Sequence, residues 1–321
     1  MIARYAIPFF FIVGMIVVPA LCYCICRMTM RRKRTARLTA LGITLFIYIA
    51  IAYGMTVGFE QFRVRHIDYA SATLPKAFNG YRIVQFTDAH LGTLTGQRQW
   101  MLRRAVDSIN AMKPDAIVFT GDLVNLCPSE IKPHLSELRR LKARDGVFSV
   151  LGNHDYPIYL ELNKAEKEDS LKAIIALERQ AGWQLLMNDH RTLYRDSDSI
   201  IIAGMENWGK ARRMPRQGNV AKSLKGVKTD AYVVMLQHDP SCWQKQILPQ
   251  CQAQLTLSGH THGGQVKLLG WSPVASAYEQ WAGLYKEGQR AINVSTGLGG
   301  LIPFRLFLPG EVVVITLRAE N

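Results

Sequence analysis

Apolar positions follow two different patterns along the chain. Residues 1–59 hold two unbroken apolar runs, 5–25 and 38–59, with no Asp or Glu anywhere before Glu60. Each run matches the ~20 residues of helix that cross the hydrocarbon core of a bilayer, so the pair predicts two transmembrane helices. A cleaved leader would start with basic residues and end in a small-residue cleavage site. Here the start is not basic, and a second full-length run follows.

Beyond residue 80 the pattern becomes short apolar runs separated by amphipathic stretches. Strands are predicted at 81–87, 115–120 and 147–151. Helices are predicted at 97–112, which stops before Pro114, and at 131–142, with a longer charged helix at 164–181. The second half is richer in strands: 183–187, 192–194, 199–203, 231–236, 253–257, 291–294 and 311–317. So many strands, with helices between only some of them, predict an α/β fold of two packed sheets. Residues 60–80, ending in the turn-like Asn79-Gly80, read as a linker, and 208–228 and 268–290 as surface insertions. The expected organisation is a membrane anchor at 1–59, a linker at 60–80 and a globular domain at 81–321.

Charge refines this picture. Six basic residues, Arg27, Arg31, Arg32, Lys33, Arg34 and Arg37, lie between the two apolar runs, against Arg4 alone before them. The positive-inside rule places that loop in the cytoplasm. Both termini, and with them the domain, then fall on the outer face of the membrane. The formal net charge of +14 is mostly local: seven of the 39 basic residues precede position 60, leaving 32 against all 25 acidic ones. That balance does not call for nucleic acid, and contact of the loop with anionic lipid is the simpler reading. Cys22, Cys24 and Cys26 end the first run and Cys127, Cys242 and Cys251 are scattered, which is no disulfide framework or thiolate metal site.

The candidate chemistry sits at the ends of the apolar runs. Ser258-Gly259-His260-Thr261-His262-Gly263-Gly264 puts two imidazoles at i and i+2, on one side of extended chain. Upstream, Asp88-Ala89-His90, Gly121-Asp122, Gly152-Asn153-His154-Asp155 and Gln237-His238-Asp239 each follow a strand-like run. Five of the eight histidines fall in these motifs, whereas His66, His134 and His190 do not. Carboxylate, imidazole and amide groups delivered from loops at strand ends can hold two divalent cations. With nitrogen and oxygen donors and no thiolate, manganese, zinc, iron and cobalt are all suited, and a calcium cage is not.

In order and spacing this set resembles the calcineurin-like metallophosphoesterases, and within them the bacterial membrane-associated branch of YkuE and YaeI type phosphodiesterases. The narrower likeness rests on residues 83–92, on 259–266, and on Ser295-Thr296-Gly297-Leu298-Gly299 followed by Pro303-Phe304-Arg305. The resemblance implies a four-layer α/β/β/α sandwich. It also implies that Asp88, His90 and His262 bind one metal, that Asn153, His238 and His260 bind a second, and that Asp122 bridges them. A hydroxide held between the metals would attack phosphorus in line, with His154 stabilising the transition state or protonating the leaving oxygen and Asp155 orienting an imidazole. Arg212, Arg213, Trp271 and Arg305 are candidate substrate contacts.

The basic run from Lys210 to Lys228 has no acid before Asp230 and reads either as a solvated loop or as a site for phosphate headgroups. Trp271, Tyr278, Trp281 and Tyr285 read as pocket lining, as a membrane-interface group or as core. The expected function is hydrolysis of a phosphodiester or pyrophosphate in a lipid or envelope phosphate, with membrane lipids as partners and neither nucleic acid nor a protein partner expected. Hydrolysis of UDP-2,3-diacylglucosamine on the cytoplasmic side and a non-catalytic metal-binding scaffold are the alternatives.

Overall fold

The computed structural model describes the backbone from Ile2 to Glu320 and side chains from Gly14 to Glu320. The chain divides into two compact units, Met1–Val57 and Gly58–Asn321.

In the first unit, helices α1 (Ile2–Thr29) and α2 (Lys33–Tyr53) pack on each other. Cys26, Ala36 and Ala40 are buried between them, and Tyr48 Oη donates to the Met15 carbonyl at 2.8 Å. Small residues at 36 and 40 let the two backbones approach. Among the described residues, one helix, Lys33–Gly58, is long and apolar enough to cross a membrane, and Gly14–Thr29 is a shorter apolar helix. The run at 5–25 lies partly outside the residues whose side chains are described.

Among the described residues the second unit has twelve strands: β1 (Phe62–Ser71), β2 (Arg82–Phe86), β3 (Ala116–Phe119), β4 (Val147–Ser149), β5 (Gln184–Leu185), β6 (Asp189–Arg195), β7 (Asp198–Gly204), β8 (Tyr232–Leu236), β9 (Leu255–Ser258), β10 (Gly283–Glu287), β11 (Arg290–Val294) and β12 (Gly310–Ala319). They form two mixed six-stranded sheets, ordered β1-β12-β2-β3-β4-β5 and β10-β11-β9-β8-β7-β6. The sheets face each other across a core of Ile83, Val118, Phe148, Ile202, Val234, Leu257 and their neighbours. The outer face of the first sheet is covered by helices α3 (Gln99–Ala111) and α4 (Lys164–Gln180). α3 buries Met101, Leu102, Ala105, Val106 and Ile109, the one-sided stripe a 3.6-residue period produces. The outer face of the second sheet packs against Val220, Trp243 and Ile247 from short helical turns. Two mixed sheets with helices on both outer faces are thus observed.

Residues 62–71 are a strand and not a linker. β1 pairs in parallel with β12 over its full length, Phe62 against Gly310 through Ser71 against Ala319. Its charged residues, Arg63, Arg65 and Asp68, hid it in the sequence. Arg63 and Arg65 both reach the buried Glu311 of β12, at 3.2 and 3.1 Å. Arg65 also donates to Asn293 Oδ1 at 2.9 Å, Asn293 to Gln85 Oε1 at 2.7 Å, and Gln85 to the Ser258 carbonyl at 2.9 Å. This chain of hydrogen bonds runs through the buried interior and ties β2 of one sheet to β9 of the other, just before the loops that follow them.

The helix expected at 131–142 is broken into single turns at Pro128–Glu130, Lys132–His134 and Leu135–Leu138. Pro133 supplies no N–H and starts a helical turn more readily than it continues one. β10 lies within the segment expected as an insertion, and all six cysteines are free.

Candidate metal centre

Every residue of the Asp-His-Asn set lies in a loop that leaves the C-terminal end of a parallel strand. Asp88 and His90 follow β2, Asp122 follows β3, Asn153 and His154 follow β4, His238 follows β8, and His260 and His262 follow β9. Carboxyl ends of parallel strands are where open α/β sheets place their ligands. The two packed sheets bring the two sets of loops together.

The donors form two groups that share one carboxylate. Asp88, His90, Asp122 and His262 offer ligand atoms all within 4.8 Å of one another, and so do Asp122, His238 and His260. Asn153 is buried and lines the same cavity, of about 240 Å³, with Asp122, His154, His260 and His262. Asp88, His90, Asp122, His260 and His262 all have φ between +44° and +72°. A left-handed backbone is uncommon outside glycine and concentrates at functional sites.

Several donor atoms converge on one another. His90 Nε2 and His262 Nε2 are 3.2 Å apart, and neither Nδ1 has a partner. His238 donates from Nδ1 to the Thr120 carbonyl at 2.7 Å, and its Nε2 lies 3.2 Å from Asp122 Oδ2 without a hydrogen-bond partner. Asn153 Oδ1 is buried and unbonded. Buried polar atoms normally find partners, and lone pairs converging on a shared carboxylate are satisfied by cations. The residues therefore fit divalent metal binding.

The electrostatics agree. Burial pushes the Asp88 carboxyl up to about 7, and burial pushes His90 down to about 3 and His262 well below the ordinary imidazole range. For Asp122, burial acts upward but the imidazoles of His238, His154 and His90 outweigh it and hold the carboxyl well down. Burial alone would lower His238, yet Asp122 and Asp88 raise it to about 10. Within the protein alone, then, an imidazolium balances the carboxylate, the place a metal ion takes.

Supporting contacts fix these loops. Asp155 does not orient an imidazole: its carboxylate accepts backbone N–H groups from Gly152 and Asp122 at 2.8 Å, Leu123 at 2.9 Å and Val124 at 3.2 Å. His154 donates its backbone N–H to Asp122 Oδ1 and its Nδ1–H to the Asn125 carbonyl, at 2.8 and 2.7 Å. His260 Nε2 lies 2.8 Å from the Tyr278 hydroxyl. Gly259 packs so closely that a Cβ there would sit 2.3 Å from Asp88 Oδ2.

The four candidate substrate contacts separate. Arg305 is a correction: it is fully buried, and its guanidinium donates to the carbonyls of Thr296, Gly297 and Gly299 at 2.7, 3.2 and 2.6 Å. It holds the loop whose Leu298 and Gly299 N–H groups donate to Thr87 and Asp88, so it positions Asp88 from behind and has no face for substrate. Trp271 is exposed and does not line the cavity. Arg212 and Arg213 are exposed on the basic loop; next to them, Met214 lines the cavity.

Sequence reasoning missed the rest of the lining, namely Tyr159, Met214, Gln265, Leu301 and Ile302. Tyr159 stacks on His154, with centroids 4.3 Å apart, and accepts from Asn153 Nδ2 at 2.8 Å. Its only signal was its place four residues after Asp155.

Residues 81–264 match the calcineurin-like phosphoesterase family. The chain is 30% identical over 261 residues to the uncharacterized metallophosphoesterase YkuE of Bacillus subtilis, covering 78% of this chain and 84% of that protein. It is 28% identical over 291 residues to a transmembrane protein with metallophosphoesterase domain from Danio rerio, covering 88% of this chain but 63% of that longer protein. It is 27% identical over 300 residues to the UDP-2,3-diacylglucosamine pyrophosphatase LpxG of Chlamydia trachomatis, with 77% and 87% covered.

Proposed function

This chain belongs to the calcineurin-like phosphoesterase family and is a metal-dependent phosphoric ester hydrolase, and we propose that it is a membrane-anchored enzyme using two divalent ions to cleave a phosphodiester or pyrophosphate bond in a lipid or envelope phosphate. The observation that carries this reading is the pair of donor groups sharing Asp122, set in a cavity with an apolar wall of Met214, Leu301 and Ile302. Asp88, His90, Asp122 and His262 would hold one ion, and Asp122, Asn153, His238 and His260 the other. When bound, two such ions supply an activated water and neutralise charge on the phosphoryl oxygens. Manganese, zinc, iron or cobalt suits the donors.

The chain's own residues do the remaining work. With Nδ1 committed to the Asn125 carbonyl, His154 has Nε2 left to exchange a proton with the leaving oxygen. The Tyr159 ring stacked on it fixes its plane. The apolar wall accommodates a second ester substituent, which favours a diester over a monoester. The apolar helix Lys33–Gly58 ends only four residues before β1 begins, so the enzyme meets membrane-bound phosphates at raised effective concentration. The basic loop at 27–37 supports an outward-facing domain, checked by reporter fusions at the C-terminus.

A second reading, hydrolysis of UDP-2,3-diacylglucosamine in the cytoplasm, has the relationship to LpxG in its favour. It requires the opposite membrane orientation.

The test is chelation of the full chain in detergent, reloading with manganese or zinc, and assay with bis-p-nitrophenyl phosphate beside p-nitrophenyl phosphate, with metal content measured by mass spectrometry. Two ions per chain and diester turnover are expected. His154→Ala should keep both ions and lose about 10²- to 10⁴-fold in rate, whereas Asp122→Asn should lose metal as well. Full activity of Asp122→Asn, or no phosphoester cleaved by a chain carrying two ions, overturns the proposal.

A further inference from the structure

Two exposed loops beside the cavity present apolar side chains where exposed loops normally carry polar ones. Lys267 N–H donates to the Leu306 carbonyl and Leu306 N–H to that of Gln265, so residues 265–268 run beside 305–307. Gln265 Nε2 adds bonds to the Ile302 and Phe304 carbonyls at 2.9 and 2.6 Å. The first loop then turns in a two-residue hairpin, Leu268 and Trp271 exchanging backbone hydrogen bonds at 2.8 and 2.9 Å. On this joined surface Leu268, Leu269, Trp271, Leu301, Ile302 and Phe307 are all exposed.

Two of these residues are also strained. Leu269 and Phe307 have φ of +48° and +57°, a region that bulky side chains rarely adopt. A hairpin turn with both central residues left-handed normally selects Asn-Gly or Asp-Gly. Here it is Leu269-Gly270, with Leu269 at 108% of full exposure. Backbone strain and an outstretched leucine are both unfavourable in water, and backbone outliers point to function. The Leu269 side chain stands clear of the rest of the protein, so a fluid apolar phase can surround it on every side.

Three features identify that phase as a lipid leaflet. The patch continues into the cavity through Leu301 and Ile302, which line it with His262. Its surroundings are cationic: Lys267 lies over the Trp281 ring, and Met214, which also lines the cavity, sits in the acid-free basic run that contains Arg212 and Arg213. The same chain carries a helix able to cross a membrane. We infer that the paired loops 268–271 and 301–307 form a membrane-docking surface that inserts into an anionic leaflet and delivers a lipid-borne phosphate to the cavity. This rests on the proposed lipid-phosphate reading for its catalytic consequence, but not for the insertion itself.

The experiment uses the full chain in phosphatidylcholine and phosphatidylglycerol vesicles whose acyl chains are brominated near their midpoint. Trp271 emission is obtained as the difference between the intact chain and Trp271→Phe. Bromine should quench this component, and Leu269→Glu should abolish the quenching. Leu269→Glu should also lower turnover of a two-chain lipid p-nitrophenyl phosphodiester in the same vesicles by about 10- to 100-fold, the factor expected for removing one leucine from an apolar phase. Bis-p-nitrophenyl phosphate turnover should be unchanged. Unquenched Trp271 emission overturns the inference. So does an equal loss on both substrates, which would make the loops part of the site's framework, or a dimer that Leu269→Glu converts to monomer, which would make the patch an interface between copies. Failure to cleave any phosphoester would refute the catalytic reading while the quenching still reports docking.

Discussion

Asp155→Asn isolates what holds the metal-binding loops in place. The Asp155 carboxylate makes no contact with an imidazole; its Oδ2 accepts from Asp122 and Gly152, and its Oδ1 from Leu123 and Val124. It joins the loop after β3, which carries Asp122 and the Asn125 carbonyl, to the loop after β4, which carries Asn153 and His154. Asparagine is nearly the same size but replaces one oxygen with an NH₂ group. Whichever way the amide is turned, two backbone N–H groups lose their acceptor and face a donor. A buried donor left unsatisfied costs about 1–3 kcal/mol, so two of them cost about 2–6 kcal/mol.

That is a large part of the roughly 5–15 kcal/mol by which domains are stable. All six tryptophans lie beyond residue 57, so urea unfolding of the full chain in detergent, followed by tryptophan emission, reads the second unit alone. Chelator should be present, because metal that binds only the native state would add its own stabilisation. We expect the unfolding free energy to fall by the amount given above, read as a lower midpoint at an unchanged slope, and reloaded metal to drop below the wild-type ratio. A loss under about 1 kcal/mol with metal retained would refute the reasoning and show that these loops are fixed by something other than the carboxylate.

Two further perturbations test independent parts of the argument. Glu178 is fully buried, with Oε2 accepting from Ser149 Oγ at 2.6 Å and Oε1 unpartnered, and burial, with Asp155 adding to it, pushes its carboxyl from 4.5 up to about 8. Between those values the folded chain holds a proton that the unfolded chain has lost. Stability should therefore fall as pH rises from about 4.5 to about 8 and level off above, with a limiting loss of about 5 kcal/mol. Glu178→Gln should flatten this segment of the stability profile and leave the variant more stable than wild type above pH 8; an unchanged profile would sink the assignment. Gly259→Ala would put a Cβ 2.3 Å from both Asp88 Oδ2 and Thr87 Oγ1, so the carboxylate must leave its place. Metal affinity should fall by about 10- to 100-fold, measured by competition with a chromogenic chelator, and an unaltered affinity would show that the loop can yield at no cost.

How much of this was legible depends on where the information lies. The donor set could be read because each motif is a short polar cluster after an apolar run, and only a shared site explains so many. The two-sheet architecture followed from the number of strands. β1 was not legible: its Arg63 and Arg65 lie on the same face as the core residues Ile67 and Tyr69 and are balanced by Glu311, a partner that only the folded chain brings near. Arg305 looked like a substrate contact because arginine so often binds phosphate, and only burial against three carbonyls shows that it serves the backbone. Tyr159, Leu301 and Ile302 carry no pattern of their own and enter the site through loop geometry.

The backbone at the donors explains why the motifs have the form they do. Five of the seven donor residues are left-handed, and residues held there cost of order 1–3 kcal/mol each and persist only where their surroundings fix them. The surroundings are glycines. A Cβ at Gly152 would meet Asp122 Oδ1 at 2.2 Å, and one at Gly121 would meet His238 Nδ1 at 2.7 Å. Gly121 itself, at φ +98°, is in a region closed to other residues. Glycine beside Asp122, Asn153 and His260 therefore does two things. It turns the chain sharply at the strand end, and it removes the side chain that would occupy the donors' space. Gly-Asp, Gly-Asn-His-Asp and Gly-His-x-His are thus packing solutions as much as ligand lists. The same reasoning applies to Leu269 and Phe307: they are left-handed too, but the glycine beside Leu269 leaves it pointing into solvent. Strain that closes a cavity around metal at one place holds an apolar side chain outward at the other.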